Sequence, residues 1–347
     1  MSQSVAVIGA GSWGTALAMS LAWGGHDVRL WTRRPEHAEE LRNERTNQRY
    51  LEDISLPASI SVTTDQATAV QGADVWLFAI PSQHQREVAH QFAGWAGPKH
   101  ILISVAKGIE NGTLELATEV LQAACPAADP TRIGVLYGPS HAEEVVRKQP
   151  TAVVAAFPDA EVATQVQNLF MTPNLRVYVN TDVVGVQIGG SLKNIMAIAT
   201  GICDGVGYGD NAKAALITRG IVEMGRLGAA MGAKPSTFAG LSGLGDLVVT
   251  CMSGLSRNRH VGEQIGRGRS LEAIREEMNM VAEGVKTTRS VVALADRHGI
   301  EMPLTRAVYA ILFEGLKPEV AVRGLMTREA RQEDDVPAGL FDPQQST

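Results

Sequence analysis

The stretch VAVIGAGSWGTALA at residues 5–18 decides the fold. An apolar, β-rich run leads into Gly9-x-Gly11-x-x-Gly14, and a helix-forming run follows. Each glycine has its own task in that setting: Gly9 permits a tight turn, Gly11 lets backbone approach a pyrophosphate, and Gly14 allows helix and strand to pack closely. The helix that begins there turns free N–H groups and its positive dipole end toward bound phosphate. Strand, glycine loop and helix in this order predict a dinucleotide-binding unit; the same glycines without those flanks would be weak evidence.

Outward from that stretch, further β-rich runs recur at 27–32, 74–80, 100–106, 132–138, 151–157 and 175–180, with helical stretches such as 12–24, 84–96 and 113–124 between them. Strands apolar on both faces that alternate with helices indicate a mostly parallel sheet covered on both sides. After about Asp182 no convincing strand appears, and Ala-, Met- and Leu-rich helical patterns take over, with Gly-rich interruptions at 240–245 and 266–268. The expected organisation is an α/β Rossmann-type domain over 1–181 followed by an all-α domain over 182–331. The polar, Pro-containing segment 332–347 is expected to be a disordered tail.

Bulk properties narrow the function classes. The 347 residues are 45% hydrophobic and 20% charged with a net charge of -6, which describes a folded chain without the basic balance of a nucleic-acid binder. A local basic cluster can still bind an anionic substrate. Cys125, Cys203 and Cys251 are odd in number and lack C-x-x-C spacing, so neither a disulfide framework nor a zinc site is expected, and a reducing cytoplasm fits. The His residues show no paired ligand pattern, and no metal is expected. Residues 5–23 lack a basic leader region and are broken by glycines, so they do not read as a signal peptide. No uninterrupted apolar stretch of spanning length is expected elsewhere.

Three clusters carry chemistry. The second strand ends in WTRRPEH at 31–37, with Thr32, Arg33 and Arg34 where an NAD enzyme would place an acid for the ribose 2′-hydroxyl. Two guanidinium groups there suit a 2′-phosphate and favour NADPH, while Glu36 keeps NAD use open. Other strands end in Pro81-Ser82, Lys107 and Gly138-Pro139-Ser140, on the edge where open α/β sheets bind ligands. The helix 185–202, GVQIGGSLKNIMAIATGI, puts Lys193 and Asn194 among apolar neighbours. A lysine held there would be partly desolvated, which moves its pKa toward a useful acid–base range. In GLSGLGDLVVTCMSGLSRNRHVG at 240–262 the glycines are expected to shape loops that present backbone N–H groups. Ser256, Arg257, Asn258 and Arg259 there offer consecutive donors for a phosphate monoester. Asp246 is a plausible orienting partner for a substrate hydroxyl or for Lys193, whereas SRNR alone would read as a solvated helix cap.

The ordered motifs GAGSWGTALA (9–18), AKGIE (106–110), GPSHAEEV (138–145), GGSLKNIMAIATGI (189–202), GLSGLGDLVVTC (240–251), SRNRHVG (256–262) and VAEGVKTT (281–288) resemble the bacterial NAD(P)-dependent glycerol-3-phosphate dehydrogenases over almost the whole chain. The segment MPLTRAVYAILFEG (302–315) is also similar to that family. The resemblance implies that Ser12, Trp13, Arg33 and Arg34 contact the dinucleotide and that Lys107 touches both nicotinamide and substrate. It also implies that Gly138 and Ser140 bind substrate and that Ala142 lies against the cofactor. Lys193 matches the proton acceptor, with Asp246, Ser256, Arg257 and Asn258 around the glycerol phosphate. Arg257, Val281 and Glu283 would close over the cofactor. His141 stands where many relatives carry Phe and receives no role.

The implied reaction interconverts dihydroxyacetone phosphate and sn-glycerol 3-phosphate for phospholipid precursor synthesis, in a homodimer. Competing readings are another two-domain NADP-dependent dehydrogenase of a phosphorylated carbonyl compound, or a non-catalytic NADP(H) sensor. A methyltransferase using the glycine loop leaves the paired arginines and Lys193 without a task.

Overall fold

The computed structural model describes residues 2–278 and 281–329, so the expected tail at 332–347 lies outside the described residues. Among these residues the strands are β1 (Ser4–Ile8), β2 (Asp27–Trp31), β3 (Thr46–Asn47), β4 (Leu51–Ser55), β5 (Ile60–Thr63), β6 (Val75–Phe78), β7 (Ile101–Ser104), β8 (Ile133–Tyr137), β9 (Thr151–Ala156) and β10 (Leu175–Asn180). Eight of them form one sheet in the order β10-β9-β8-β7-β6-β1-β2-β5, while β3 and β4 make a separate antiparallel pair. Every residue of β6, β7 and β8 is buried, because helices cover both faces and leave no side for water. All neighbours in the large sheet run parallel except β8 and β9.

The chain winds from β1 through β2 to β5, then returns to lay β6 against the other side of β1. That reversal makes the carboxyl end of β1 a topological switch point, the place where open sheets of this kind bind ligands. The glycine loop lies there. The mostly parallel sheet, and the helices that make up the regular elements of the described residues from Val183 onward, match the expected fold class.

Local details depart from expectation. The helix expected at 84–96 is split into the short turn Ser82–His84, the helix Gln85–His90 and a second turn Ala93–Trp95. The one expected at 113–124 begins only at Ala117, after Gly112 and Leu114 take φ of 88° and 65°. Strands β3, β4 and β5 were not anticipated: their segment is polar, and Arg45 and Asp53 adopt φ of 54° and 59°, which breaks any alternation.

Two compact units divide the chain. The sheet unit comprises the residues up to Ala106 with Ala117–Val183, and the helical unit comprises Lys107–Leu116 with the described residues from Val184 onward. The helical unit is organised around the 24-residue helix Val183–Val206, buried continuously from Gly185 to Cys203. This helix is long and apolar enough to cross a membrane by length and composition, which the sequence reading overlooked. Its apolar window is 89% buried inside the protein, as a core helix requires. Glycines let the helix Arg257–Gly266 press against it: a Cβ at Gly201 would lie 2.0 Å from the Arg259 carbonyl oxygen, and one at Gly262 would lie 2.0 Å from that of Ile198.

Candidate active site

One carboxylate in the helical unit holds two ammonium groups. Asp246 opens the helix Asp246–Met252 and is 1% exposed. Lys193 Nζ lies 2.8 Å from its Oδ1, and Lys107 Nζ lies 2.7 Å from its Oδ2. Lys193 also donates to Thr250 Oγ1 at 2.7 Å, and the Thr250 hydroxyl donates to the Asp246 main-chain carbonyl at 2.6 Å. Thr250 stands one helical turn beyond Asp246, so both reach the same face of their helix.

Burial lowers the pKa of the Lys107 ammonium; Asp246 opposes that fall, Lys193 adds to it, and the balance stands at about 8. Burial pushes the Asp246 carboxyl up, but the two ammonium groups together outweigh it and hold the group below its ordinary value. The cluster is therefore a buried anion between two lysine ammonium groups, with that of Lys107 lowered to about 8.

The 240–245 segment reaches this geometry in an unexpected way. It forms a wide helical turn, Leu241–Gly245, that runs directly into the Asp246 helix, with Gly245 N–H donating to the Gly240 carbonyl at 3.1 Å. It is not an open loop presenting N–H groups. The small residue Gly189 lets the Lys193 helix sit against this turn, since a Cβ there would lie 2.5 Å from the Ser242 carbonyl oxygen.

Beyond it, Ser256 caps the helix Arg257–Gly266, its Oγ accepting from Arg259 N–H at 3.2 Å. Arg257 is exposed and donates to the Val281 carbonyl at 3.3 Å. Asn258 is buried, with its amide engaged by Asn194 and by Gly284 N–H. Arg259, expected among the phosphate donors, is committed elsewhere: its Nε and Nη2 grip Asp204 at 2.9 and 2.6 Å.

The glycine loop is a separate construction in the sheet unit. Gly9 takes φ +113°, and a Cβ at Gly14 would lie 1.9 Å from the Gly9 carbonyl oxygen, so neither position admits a side chain. A Cβ at Gly11 meets nothing within 4 Å, leaving an open side above the loop. The helix Ser12–Trp23 starts without a side-chain cap, and the buried Trp13 Nε1 has no partner among the described residues. Uncapped N–H groups beside open space fit a dinucleotide pyrophosphate.

A buried network braces this loop. Asn47 Nδ2 donates to the Ala10 carbonyl at 3.1 Å and to Thr15 Oγ1 at 2.8 Å, so its Oδ1 faces His37 Nε2 at 3.0 Å. His37 Nε2 must then carry the proton, which leaves Nδ1 to accept from the Thr32 hydroxyl at 3.3 Å. Burial holds the His37 imidazole below its ordinary pKa, which favours the neutral ring. Nearby, Arg34 Nη2 donates to Tyr50 Oη at 3.0 Å, and the Arg34 and Arg49 guanidinium groups lie 5.8 and 5.6 Å from the Tyr50 ring centre. Arg33 is exposed.

Comparison with known proteins gives the family of the chain. The models of the NAD-dependent glycerol-3-phosphate dehydrogenase N-terminus and C-terminus match residues 4–163 and 182–323. The NAD(P)+ glycerol-3-phosphate dehydrogenase 2 of Salinibacter ruber is 58% identical over 340 residues, covering 98% of this chain and 99% of its own. The chain belongs to the NAD-dependent glycerol-3-phosphate dehydrogenase family.

A family member from Lysinibacillus sphaericus is 48% identical over 333 residues, covering 96% of this chain and 98% of its own. Among solved structures, the glycerol-3-phosphate dehydrogenase of Coxiella burnetii superposes with a TM-score of 0.90 at 40% identity, covering 94% of this chain and 99% of its own.

Of the residues singled out in the sequence of this family member, the helical unit brings Lys107, Lys193, Asp246, Asn258 and Glu283 into one hydrogen-bonded group. Gly138 and Ser140 belong to the sheet unit, where Gly138 takes φ +140° and Ser140 Oγ donates to its carbonyl at 2.8 Å. Ala142, in the same unit, is buried at the start of the helix Ala142–Val146. Val281 is 46% exposed. Sequence reasoning missed Thr250, Asn47 and Tyr50. Only Thr250 had a local signal, its i+4 spacing from Asp246.

Proposed function

We propose that this protein reduces dihydroxyacetone phosphate to sn-glycerol 3-phosphate with hydride from NADPH, supplying glycerophospholipid synthesis in the cytoplasm as a homodimer. The observation that carries the reading is the buried Asp246 carboxylate shared by Lys193 and Lys107 at 2.8 and 2.7 Å, in a chain of this family. The names of the related enzymes support the glycerol-3-phosphate dehydrogenase activity and the use of NAD(P).

When bound, the reduced nicotinamide supplies a hydride to C2 of the substrate. Lys193 donates a proton to the C2 oxygen as negative charge develops there, and in the oxidative direction its neutral amine accepts that proton. Asp246 and Thr250 hold the Lys193 ammonium at a fixed point. Lys107 adds a second positive charge, which is present below about pH 8. Arg257 and Ser256 bind the phosphate, whose binding energy orients the reacting carbon. The backbone of the Gly9–Gly14 loop, with Ser12 and Trp13, would hold the dinucleotide. Arg33 and Arg34 favour a 2′-phosphate, so NADPH is preferred to NADH.

The test is NADPH oxidation by purified protein with dihydroxyacetone phosphate, repeated with NADH. Turnover with NADPH ahead of NADH is the expected result. No turnover in protein that binds NADPH would transfer the assignment to another phosphorylated carbonyl substrate or to a sensor.

A further inference from the structure

Asn47 reaches the glycine loop from strand β3 and takes hold of one peptide there. Its side chain is wholly buried, and Nδ2 donates both to the Ala10 carbonyl at 3.1 Å and to Thr15 Oγ1 at 2.8 Å. A trans peptide points its carbonyl and its N–H to opposite sides. No cis peptide occurs among the described residues, so an Ala10 carbonyl held against Asn47 turns the Gly11 N–H away from it. Among the described residues that N–H has no acceptor, and a Cβ on Gly11 would meet nothing within 4 Å. Gly11 thus combines an unengaged donor with open space, as backbone recognition of an anion requires.

The orientation of Asn47 is dictated from both ends. The Ala10 carbonyl can only accept, so the NH2 must face it, and Oδ1 is left to accept from His37 Nε2 at 3.0 Å. His37 Nδ1 faces the Thr32 hydroxyl at 3.3 Å, which completes a chain of side chains from the end of β2 to the glycine loop. Thr32 and His37 are each 5% exposed, and Thr15 and Asn47 are fully buried. A flipped Asn47 would set its oxygen against the Ala10 carbonyl in a site with little access for water, so the amide has one favourable orientation.

We infer that Asn47 and His37 are positioning residues for the dinucleotide: Asn47 fixes the Ala10–Gly11 peptide so that the Gly11 N–H stays aimed at the pyrophosphate, and His37 holds Asn47 in its donating orientation. The inference rests on the dinucleotide-binding part of the reading above. It adds two residues that act through the loop backbone instead of on the cofactor. A donor fixed before the ligand arrives loses no freedom on binding, and that saving appears as affinity. NADPH and NADH share the pyrophosphate, so the brace serves both alike, unlike a contact to the 2′-phosphate.

The test begins with Asn47→Leu, which keeps about the same volume and removes the donor. Its Kd for NADPH and for NADH, measured by fluorescence titration, should each rise about tenfold, while kcat at saturating NADPH stays within about twofold of wild type. Adenosine 2′-monophosphate, which lacks the pyrophosphate, should compete with NADPH with an inhibition constant within about twofold of wild type. His37→Leu should weaken both dinucleotides about fivefold, and His37→Gln, whose amide can still donate to Asn47 Oδ1, should return them to within about twofold.

Unchanged dinucleotide affinity in Asn47→Leu overturns the inference. An equal weakening of adenosine 2′-monophosphate does so too, because it marks a general loosening of the fold. Equal losses in His37→Leu and His37→Gln also overturn it, and this pair carries the test if Asn47→Leu does not fold. The titrations need no turnover, so failure of the brace and failure of the dehydrogenase reading give different results.

Discussion

The glycine loop and the lysine cluster present positive charge in opposite ways. The loop is made of backbone within six consecutive residues, Gly9 to Gly14, and needs the absence of side chains at Gly9 and Gly14. The cluster is made of side-chain charge and draws Lys107 to Asp246 across 139 residues of sequence. A backbone site spreads its work over several N–H groups, so losing one peripheral side chain costs it little. A side-chain site concentrates its electrostatics in one carboxylate, and losing that group undoes the whole arrangement.

The sharpest way to break this contrast is Asp246→Asn. It leaves two close ammonium groups without their shared counter-charge, and kcat should fall by about 10²- to 10³-fold. NADPH affinity, measured by fluorescence titration, should stay within about twofold of wild type. An equal loss in both would merge the two sites into one.

A second effect comes from pH. Lys107 carries its charge below about 8 and loses it above, and in the proposed mechanism that charge assists as the substrate oxygen becomes negative. Thus kcat/KM for reduction should be level near neutrality and fall through pH 8, approaching tenfold per unit. In Lys107→Arg the charge persists and the alkaline fall should disappear, whatever the overall rate.

The smallest effect belongs to the loop's neighbourhood. Arg34→Ala should raise KM for NADPH about tenfold and leave KM for NADH nearly unchanged, the mark of one lost 2′-phosphate contact. Equal changes for both cofactors would assign Arg34 to holding Tyr50 alone.

The same contrast explains what could be read from the sequence. Gly9, Gly11 and Gly14 are contiguous and flanked by strand and helix, so the dinucleotide unit was legible. The buried runs of β1, β6, β7 and β8 announced a parallel sheet, but nothing local announced that β9 turns antiparallel to β8. The polar segment from Arg45 to Thr63 hid three strands. It also hid Asn47, which braces Ala10 from 37 residues away. Lys193 was visible as a charge among apolar neighbours, and Asp246 as an acid after glycines. That Asp246 is shared by Lys193 and Lys107 follows from tertiary packing, which no single segment encodes.

The most direct measurement is single-turnover NADPH oxidation by Lys193→Ala at saturating dihydroxyacetone phosphate, on protein shown to be folded and to bind NADPH. The account predicts cofactor binding close to wild type and a rate lower by about 10³-fold or more, because the proton donor at the C2 oxygen is gone. A folded variant that binds NADPH and turns over at nearly the wild-type rate would contradict it.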